Sequence, residues 1–199
     1  MTSVTKIKNM KVYKKQGNVI GGTKERIIEA ARSLFSEHIY LSVSMDDIAK
    51  KLNITKAALY YHFASKEEIY VKVLEGAFDE LRACITEASR EKKSDKKLYR
   101  LVKSYLDFGL REKNLIKAMM IKLSPCSSEI SKNIIKLRKQ VTGLFQSLIK
   151  EVLPEKRFNS SLVASLLPGM MDGLLLECSF MNKKIDSGKM TNQIIAVLF

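Results

Sequence analysis

From Ser44 to Glu68 the chain runs Ser-Met-Asp-Asp-Ile-Ala-Lys-Lys-Leu-Asn-Ile-Thr-Lys-Ala-Ala-Leu-Tyr-Tyr-His-Phe-Ala-Ser-Lys-Glu-Glu. This stretch allows little besides two short helices joined by a tight turn. Met45, Ile48, Ala49 and Leu52 recur at i, i+3, i+4 and i+7, one apolar stripe of a helix. Ser44 precedes that stripe as N-cap, and Asp47 follows at the spacing of a capping box. Asn53 stands where the chain must turn sharply, and Asn tolerates the left-handed conformation better than any residue except Gly. Thr55 opens the second helix, with Ala58, Leu59 and Phe63 facing inward. The other face carries Thr55, Lys56, Ala57, Tyr60, Tyr61 and His62, a high density of hydrogen-bonding tips for so short a helix. Ser65 and Glu68 have the spacing of a second capping box, which opens a long helix.

These residues resemble the N-terminal DNA-binding domain of the tetracycline-repressor (TetR) family of transcriptional regulators. The similarity covers residues 23–70, about a quarter of the chain, without an insertion. It rests on Thr23-Lys-Glu-Arg-Ile-Ile-Glu-Ala-Ala-Arg-Ser-Leu-Phe35, on Ser44-Met-Asp-Asp-Ile-Ala49, and on Ala58-Leu-Tyr-Tyr-His-Phe63 followed by Ser65-Lys66-Glu67-Glu68. Ile39 departs from the family's usual Gly before the aromatic Tyr40, and Asn53 replaces the usual turn Gly. The resemblance implies roles for the outer face, position by position. Lys56 donates to guanine O6 and N7, Thr55 meets a base or phosphate, and Ala57 meets a thymine methyl. Tyr60, Tyr61, His62 and Lys66 reach phosphate oxygens, which fix position rather than sequence. Ser44 and the helix N-terminus behind it offer backbone N–H groups to phosphate. Packing is the competing reading for Tyr60 and Tyr61, but two adjacent tyrosines on a helix cannot both face inward.

The rest of the chain also reads as helix. Pro is scarce (3) and no run of alternating β-branched residues occurs, so an all-α fold is expected. A first helix from Thr23 buries Ile27, Ala30, Ala31, Leu34 and Phe35. The helix opening at Lys66 carries Ile69, Val73, Ala77, Leu81 and Cys84 or Ile85 to about Arg90, and the polar run Ser89–Lys97 reads as a loop. Leu98, Leu101, Val102, Tyr105 and Phe108 form the next helix, and another spans roughly Glu112–Leu123 before Ser124-Pro125. Ser128 caps a long helix that places Ile130, Ile134, Leu137, Val141, Leu144 and Leu148 on one side and ends before Pro154. Residues 159–181 are apolar on more than one face, and such a helix must be covered on several sides. Thr191–Phe199 closes the chain on apolar residues.

Charge divides unevenly. The net +14 splits into +5 on residues 1–22, zero on 23–68 with seven basic and seven acidic side chains, and +9 on 69–199. Net basicity favours any polyanion and does not by itself establish a DNA function. The three cysteines, Cys84, Cys126 and Cys178, are odd in number and widely spaced, which fits a reducing cytoplasm rather than a disulfide framework. No apolar stretch follows the N-terminal lysines, so no signal peptide is expected. The run Leu162–Met171 ends at Asp172 and reads as too short to span a bilayer. No phosphate loop, paired-histidine metal motif or nucleophile with a sequence-level partner is present, so neither an enzyme nor a cofactor is expected. His62 has only His38 as a histidine companion, which disfavours a metal site. Cys126 reads as an inert surface thiol before a redox-responsive one. Asp107, Asp172 and Glu177 read as paired surface or interface acids, or as polar anchors in a cavity.

The expected organisation is a flexible basic arm over 1–22, a helix-turn-helix domain over 23–68 and a helical effector-binding and dimerisation domain over 69–199. The resemblance implies a homodimer through helices at about 159–181 and 191–199, a double-stranded operator, and a small-molecule effector of unspecified identity. Tyr105, Phe108, Met119, Met120, Leu123, Phe145, Leu166 and Met170 are the candidates to line the effector site. Two other classes stay open at this stage: a helical dimer acting through protein partners, and a peripheral protein of anionic membranes or lipids.

Overall fold

The computed structural model describes residues 22–120, 128–153, 159–181 and 185–198. Most of the expected basic arm, together with Leu123 and Cys126, lies outside the described residues, as do the side chains of Met119 and Met120. Among the described residues the chain is all-α: α1 Thr23–Glu37, α2 Met45–Leu52, α3 Lys56–His62, α4 Lys66–Ser89, α5 Ser94–Arg111, α6 Lys113–Met120, α7 Ser128–Val152, α8 Ser160–Phe180 and α9 Ser187–Leu198. A single 3₁₀ turn, Tyr40–Ser42, links α1 to α2.

Helices α1 to α3 fold around side chains that the periodicity marks. Ile27, Ala30, Ala31 and Phe35 of α1, Met45, Ile48 and Ala49 of α2, and Leu59 of α3 are buried together with Val43 and Phe63. The 24 residues of α4 extend over roughly 36 Å and serve both halves of the molecule. Near its start, Tyr70 meets Phe35 edge-on at 4.8 Å between ring centroids and lies 4.6 Å from Tyr40. Further on, Val73, Leu74, Ala77, Phe78, Leu81 and Ile85 continue the same core against α5 and α7. Ile85 is buried and Cys84 exposed, which decides the alternative left open by spacing. Where α5 passes α8, a Cβ on Gly109 would run into Leu175, so glycine permits that approach.

Two helices begin earlier than their composition indicates. The polar run after Ser89 becomes helical at Ser94, because Lys97 lays its stem in the core and its ammonium pairs with Glu151 of α7. Helix α9 begins at Ser187 rather than Thr191, where Asp186 accepts the backbone N–H groups of Gly188 at 2.9 Å and Lys189 at 3.1 Å.

Helix α8 departs most from expectation. By length and composition, Ser161–Phe180 suffices to cross a membrane, which corrects the shorter run read from sequence. Asp172, where the apolar run of the sequence ends, is fully buried and does not interrupt the helix. Ala164, Leu167, Met171 and Leu175 pack into the core, largely against α7, while Leu162, Leu166 and Met170 project outward.

Candidate nucleic-acid interface

The hairpin of α2 and α3 is set by caps four residues long or shorter. The Asp47 N–H donates to Ser44 Oγ at 3.1 Å, and the Ser44 N–H donates to Asp47 Oδ2 at 2.8 Å, which completes the expected capping box. The Ser44 hydroxyl, which donates to Asp47 Oδ2 at 2.6 Å, and then the Ser44 N–H hold the Asp47 carboxyl below its ordinary range. Asn53 adopts φ 55, ψ 43, the left-handed conformation its position required. Thr55 Oγ1 accepts from the Ala58 N–H at 3.1 Å and starts α3. At Ser65 the box is altered: Ser65 Oγ accepts from the Glu68 N–H, but the Glu68 carboxylate reaches past Ser65 to the Ala64 N–H at 2.8 Å.

With Leu59 and Phe63 anchored in the core, α3 turns Lys56, Ala57, Tyr60 and Tyr61 outward, and Tyr61 is 86% exposed. His62 is half-buried and stands edge-on to Tyr61 at 5.1 Å. Ser44 and Thr55 are exposed at the two helix starts.

Two expected phosphate contacts look different in three dimensions. The N–H of Ser44 is already satisfied by Asp47, and Asp46 and Asp47 both occupy the first turn of α2. Their charges complement the helix dipole from within. The first turn of α3 carries no acid. Lys66, expected at the DNA backbone, instead points into the protein. Its ammonium donates to the carbonyls of Tyr40 at 2.9 Å and Val43 at 2.8 Å and lies 4.2 Å from the Tyr40 ring centroid. Partial burial draws it below the ordinary lysine value. Lys66 therefore ties the turn before α2 to the start of α4.

A further contact is not visible in local sequence. Lys56 Nζ pairs with Asp46 Oδ2 at 2.9 Å, bridging the first turns of α3 and α2. That hydrogen bond and the attraction behind it raise the Lys56 ammonium above its ordinary value.

The candidates for an effector site separate into two groups. Tyr105, Phe108 and Phe145 are buried, and the Tyr105 and Phe145 rings meet edge-on at 5.3 Å. Leu166 and Met170 lie on the outward face of α8, 60% and 43% exposed, and do not join that cluster. At its centre the Tyr105 hydroxyl donates to Asp172 Oδ1 at 2.6 Å, and an Arg138 guanidinium N–H reaches Asp172 Oδ2 at 3.2 Å. Desolvation raises the Asp172 carboxyl, partly offset by these two partners, and pushes the Tyr105 hydroxyl well up. Glu177 and Asp107 are exposed, and Asp107 pairs with Lys103. A cleft of about 370 Å³ lies elsewhere, where carboxylates of α4 (Glu67, Glu68, Glu75) face Glu129 of α7. None of the candidate residues lines it. Among the described residues no cluster of His, Cys, Asp or Glu could hold a metal ion.

A charged joint connects the hairpin unit to the helices below it. Arg32 of α1 pairs with Glu80 of α4 and with Glu112, both at 2.6 Å, and Arg111 reaches Glu80 at 2.7 Å. Asn114 donates to the Ser36 carbonyl at 2.9 Å. Glu112 is buried, and its Oε2 has no hydrogen-bond partner. Sequence spacing gives no signal for this joint, since Arg32 and Glu112 are 80 residues apart.

Residues 27–73, which span α1 to the middle of α4, match the family of bacterial regulatory proteins, tetR family. IcaR of Staphylococcus aureus (strain Newman), the HTH-type negative transcriptional regulator of the biofilm operon icaADBC, is 38% identical over 130 residues, covering 65% of this chain and 67% of IcaR. The fatty acid degradation regulator FadR of Bacillus halodurans shares the fold at a TM-score of 0.74, with 19% identity over 89% of this chain and 95% of its own. FadR of Bacillus subtilis, solved with stearoyl-CoA, does so at 0.72, with 18% identity over 87% and 96%. The match to the hairpin unit, joined to a curated relative aligned over two thirds of its length, means that this chain belongs to the tetR family of bacterial regulatory proteins.

Proposed function

We propose that this chain is a homodimeric repressor that sets two copies of α3 into successive major grooves of a near-palindromic operator and leaves it when a small molecule binds. The observation that carries the reading is the outer face of α3. Leu59 and Phe63 of this segment are buried in the core, yet Lys56, Ala57, Tyr60 and Tyr61 stand in solvent on one helix narrow enough for a major groove. Lys56, Thr55 and Ala57 are assigned to bases. Tyr60, Tyr61 and His62 are assigned to phosphates, with Ser44 at the groove edge and Lys66 as the residue that fixes the hairpin's position.

The outward stripe of α8 supports the dimer. Leu162, Leu166 and Met170 are exposed, and Cβ atoms built on Gly169 and Gly173 meet nothing, so a second helix can approach closely there. Two α3 helices then reach half-sites roughly 34–36 Å apart. An effector acts by favouring a dimer with the wrong separation. The Arg32–Glu80–Glu112 joint gives that shift a path between the body and the hairpin. The domain division follows the same logic: an arm over 1–22, the hairpin unit over 23–68 and the effector and dimer domain over 69–199, with α4 shared. Such work takes place on the chromosome, in the cytoplasm.

Capture of genomic fragments by the purified protein at near-physiological salt tests the reading. Recovery of a near-palindromic site beside one or a few promoters is the expected result, and neighbouring genes then narrow the effector class. Uniform, salt-sensitive retention of every fragment would overturn it, because charge alone would then account for binding.

A further inference from the structure

We infer that Asp46 sets the sequence selectivity of the recognition helix by holding Lys56 in an ion pair that only a matched operator displaces. The inference rests on the proposed DNA reading and adds a residue with no base contact of its own.

The pair lies on the face proposed to meet DNA, and neither helix depends on it for a cap. Both side chains are 51% exposed, and the helices they bridge are capped independently by Ser44–Asp47 and by Thr55. Internal pairing is also a general habit of this unit. Residues 23–68 carry seven basic and seven acidic side chains. Three of the basic ones are held within the protein: Arg32 in the joint, Lys66 on two carbonyls and Lys56 on Asp46. A DNA-reading unit of zero net charge cannot rely on bulk attraction to distinguish DNA from solvent.

Consider the pair at two kinds of duplex. At an unmatched sequence Lys56 meets only phosphate, and Asp46 arrives with it as a like charge beside that phosphate. The pair then enters nearly neutral and displaces no counterion. At a matched site, guanine O6 and N7 lie on the groove floor, away from phosphate, and accept from Lys56 in place of one carboxylate oxygen. An exposed pair is weak enough in water for that exchange to proceed. Asp46 is thus a positioning residue whose effect passes through Lys56.

The test uses the full-length protein, a labelled duplex carrying the site recovered by genomic capture, and a scrambled duplex of equal length and composition. Binding is read by fluorescence anisotropy across a KCl series for wild type, Asp46→Asn, Asp46→Glu, Lys56→Ala and the Asp46→Asn/Lys56→Ala double variant. For Asp46→Asn, affinity for the scrambled duplex rises on the order of eightfold per helix at 0.1 M salt. Its slope of log K against log salt steepens by about 0.9 per helix, one counterion's release for each. Affinity for the matched duplex changes by less than about threefold, so the ratio between the two falls. Asp46→Glu, which can rebuild the pair, keeps wild-type selectivity. In the Lys56→Ala background Asp46→Asn has no further effect. An equal gain on both duplexes, or the same gain with Lys56 absent, would overturn the inference, because Asp46 would then act by simple repulsion. A wild-type protein with no preferred duplex overturns the regulator reading and the inference with it. A melting curve for each variant separates these outcomes from loss of fold.

Discussion

In the α2–α3 hairpin, apolar side chains lie inside and polar ones outside; in α8 part of that order is reversed. Leu59 is fully buried while Tyr61 is 86% exposed, whereas Asp172 is fully buried while Leu166 is 60% exposed. The hairpin is an ordinary small core with an unusually well-furnished polar face. Helix α8 hides an acid by giving it two partners and leaves an apolar stripe uncovered. The contrast indicates what each surface is suited to meet: a hydrated polyanion in one case, and another apolar helix in the other.

The largest effect is expected where α8 breaks the usual order. Asp172→Ala leaves the Tyr105 hydroxyl without its acceptor in the core, at a cost of about 2–4 kcal/mol measured by urea unfolding. Arg138 keeps access to water, its side chain being 38% exposed, which limits the loss. A smaller loss, confined to assembly, follows from Leu166→Asp. The protein is expected to sediment as a folded monomer, with dimer affinity lowered by about 2 kcal/mol. A variant that still sediments as a dimer would remove α8 from the interface.

The hairpin responds differently because its polar groups already stand in water. Lys56→Ala is expected to lower affinity for the preferred site about 5- to 150-fold and to relax preference at one position, while the melting temperature holds. Lys66→Ala should do nearly the reverse. It removes the donor to two carbonyls and lowers stability by about 1 kcal/mol, with the salt slope of DNA binding unchanged. A flattened salt slope would instead return Lys66 to the phosphate backbone. The smallest effect concerns pH. Burial raises the Asp172 carboxyl above its ordinary 3.8, so the native state holds that proton more tightly than the unfolded chain. Its contribution is fully present below about 3.8 and is lost as pH rises through the raised native value. Asp172→Asn, compared with wild type by urea midpoint against pH, is expected to flatten the curve in that window.

What was legible in the sequence was mostly what acts over a few residues. The Ser44–Asp47 box, the left-handed Asn53 and the Thr55 cap are each decided by neighbours at most four positions away, and each stands as read. The altered box at Ser65 shows the margin of such readings, since one extra rotatable bond takes Glu68 to Ala64 instead. The effector candidates fared less evenly. Periodicity marks Tyr105, Phe108, Leu166 and Met170 alike as apolar, but it cannot say which side of α8 faces the protein's own core.

Sequence by itself determined the helices, the hairpin and its outward polar face, because hydrophobic period and capping are local physical demands. Tertiary structure alone decided which charges are available. Lys56 and Asp46 are ten residues apart, Lys66 and Tyr40 are 26, Tyr105 and Asp172 are 67, and Arg32 and Glu112 are 80. A lysine in a sequence is a donor with no direction. Only the packing of α1 to α4 turns one toward a carboxylate and another toward two carbonyls, and only the packing of α5, α7 and α8 makes a buried acid affordable by surrounding it with donors.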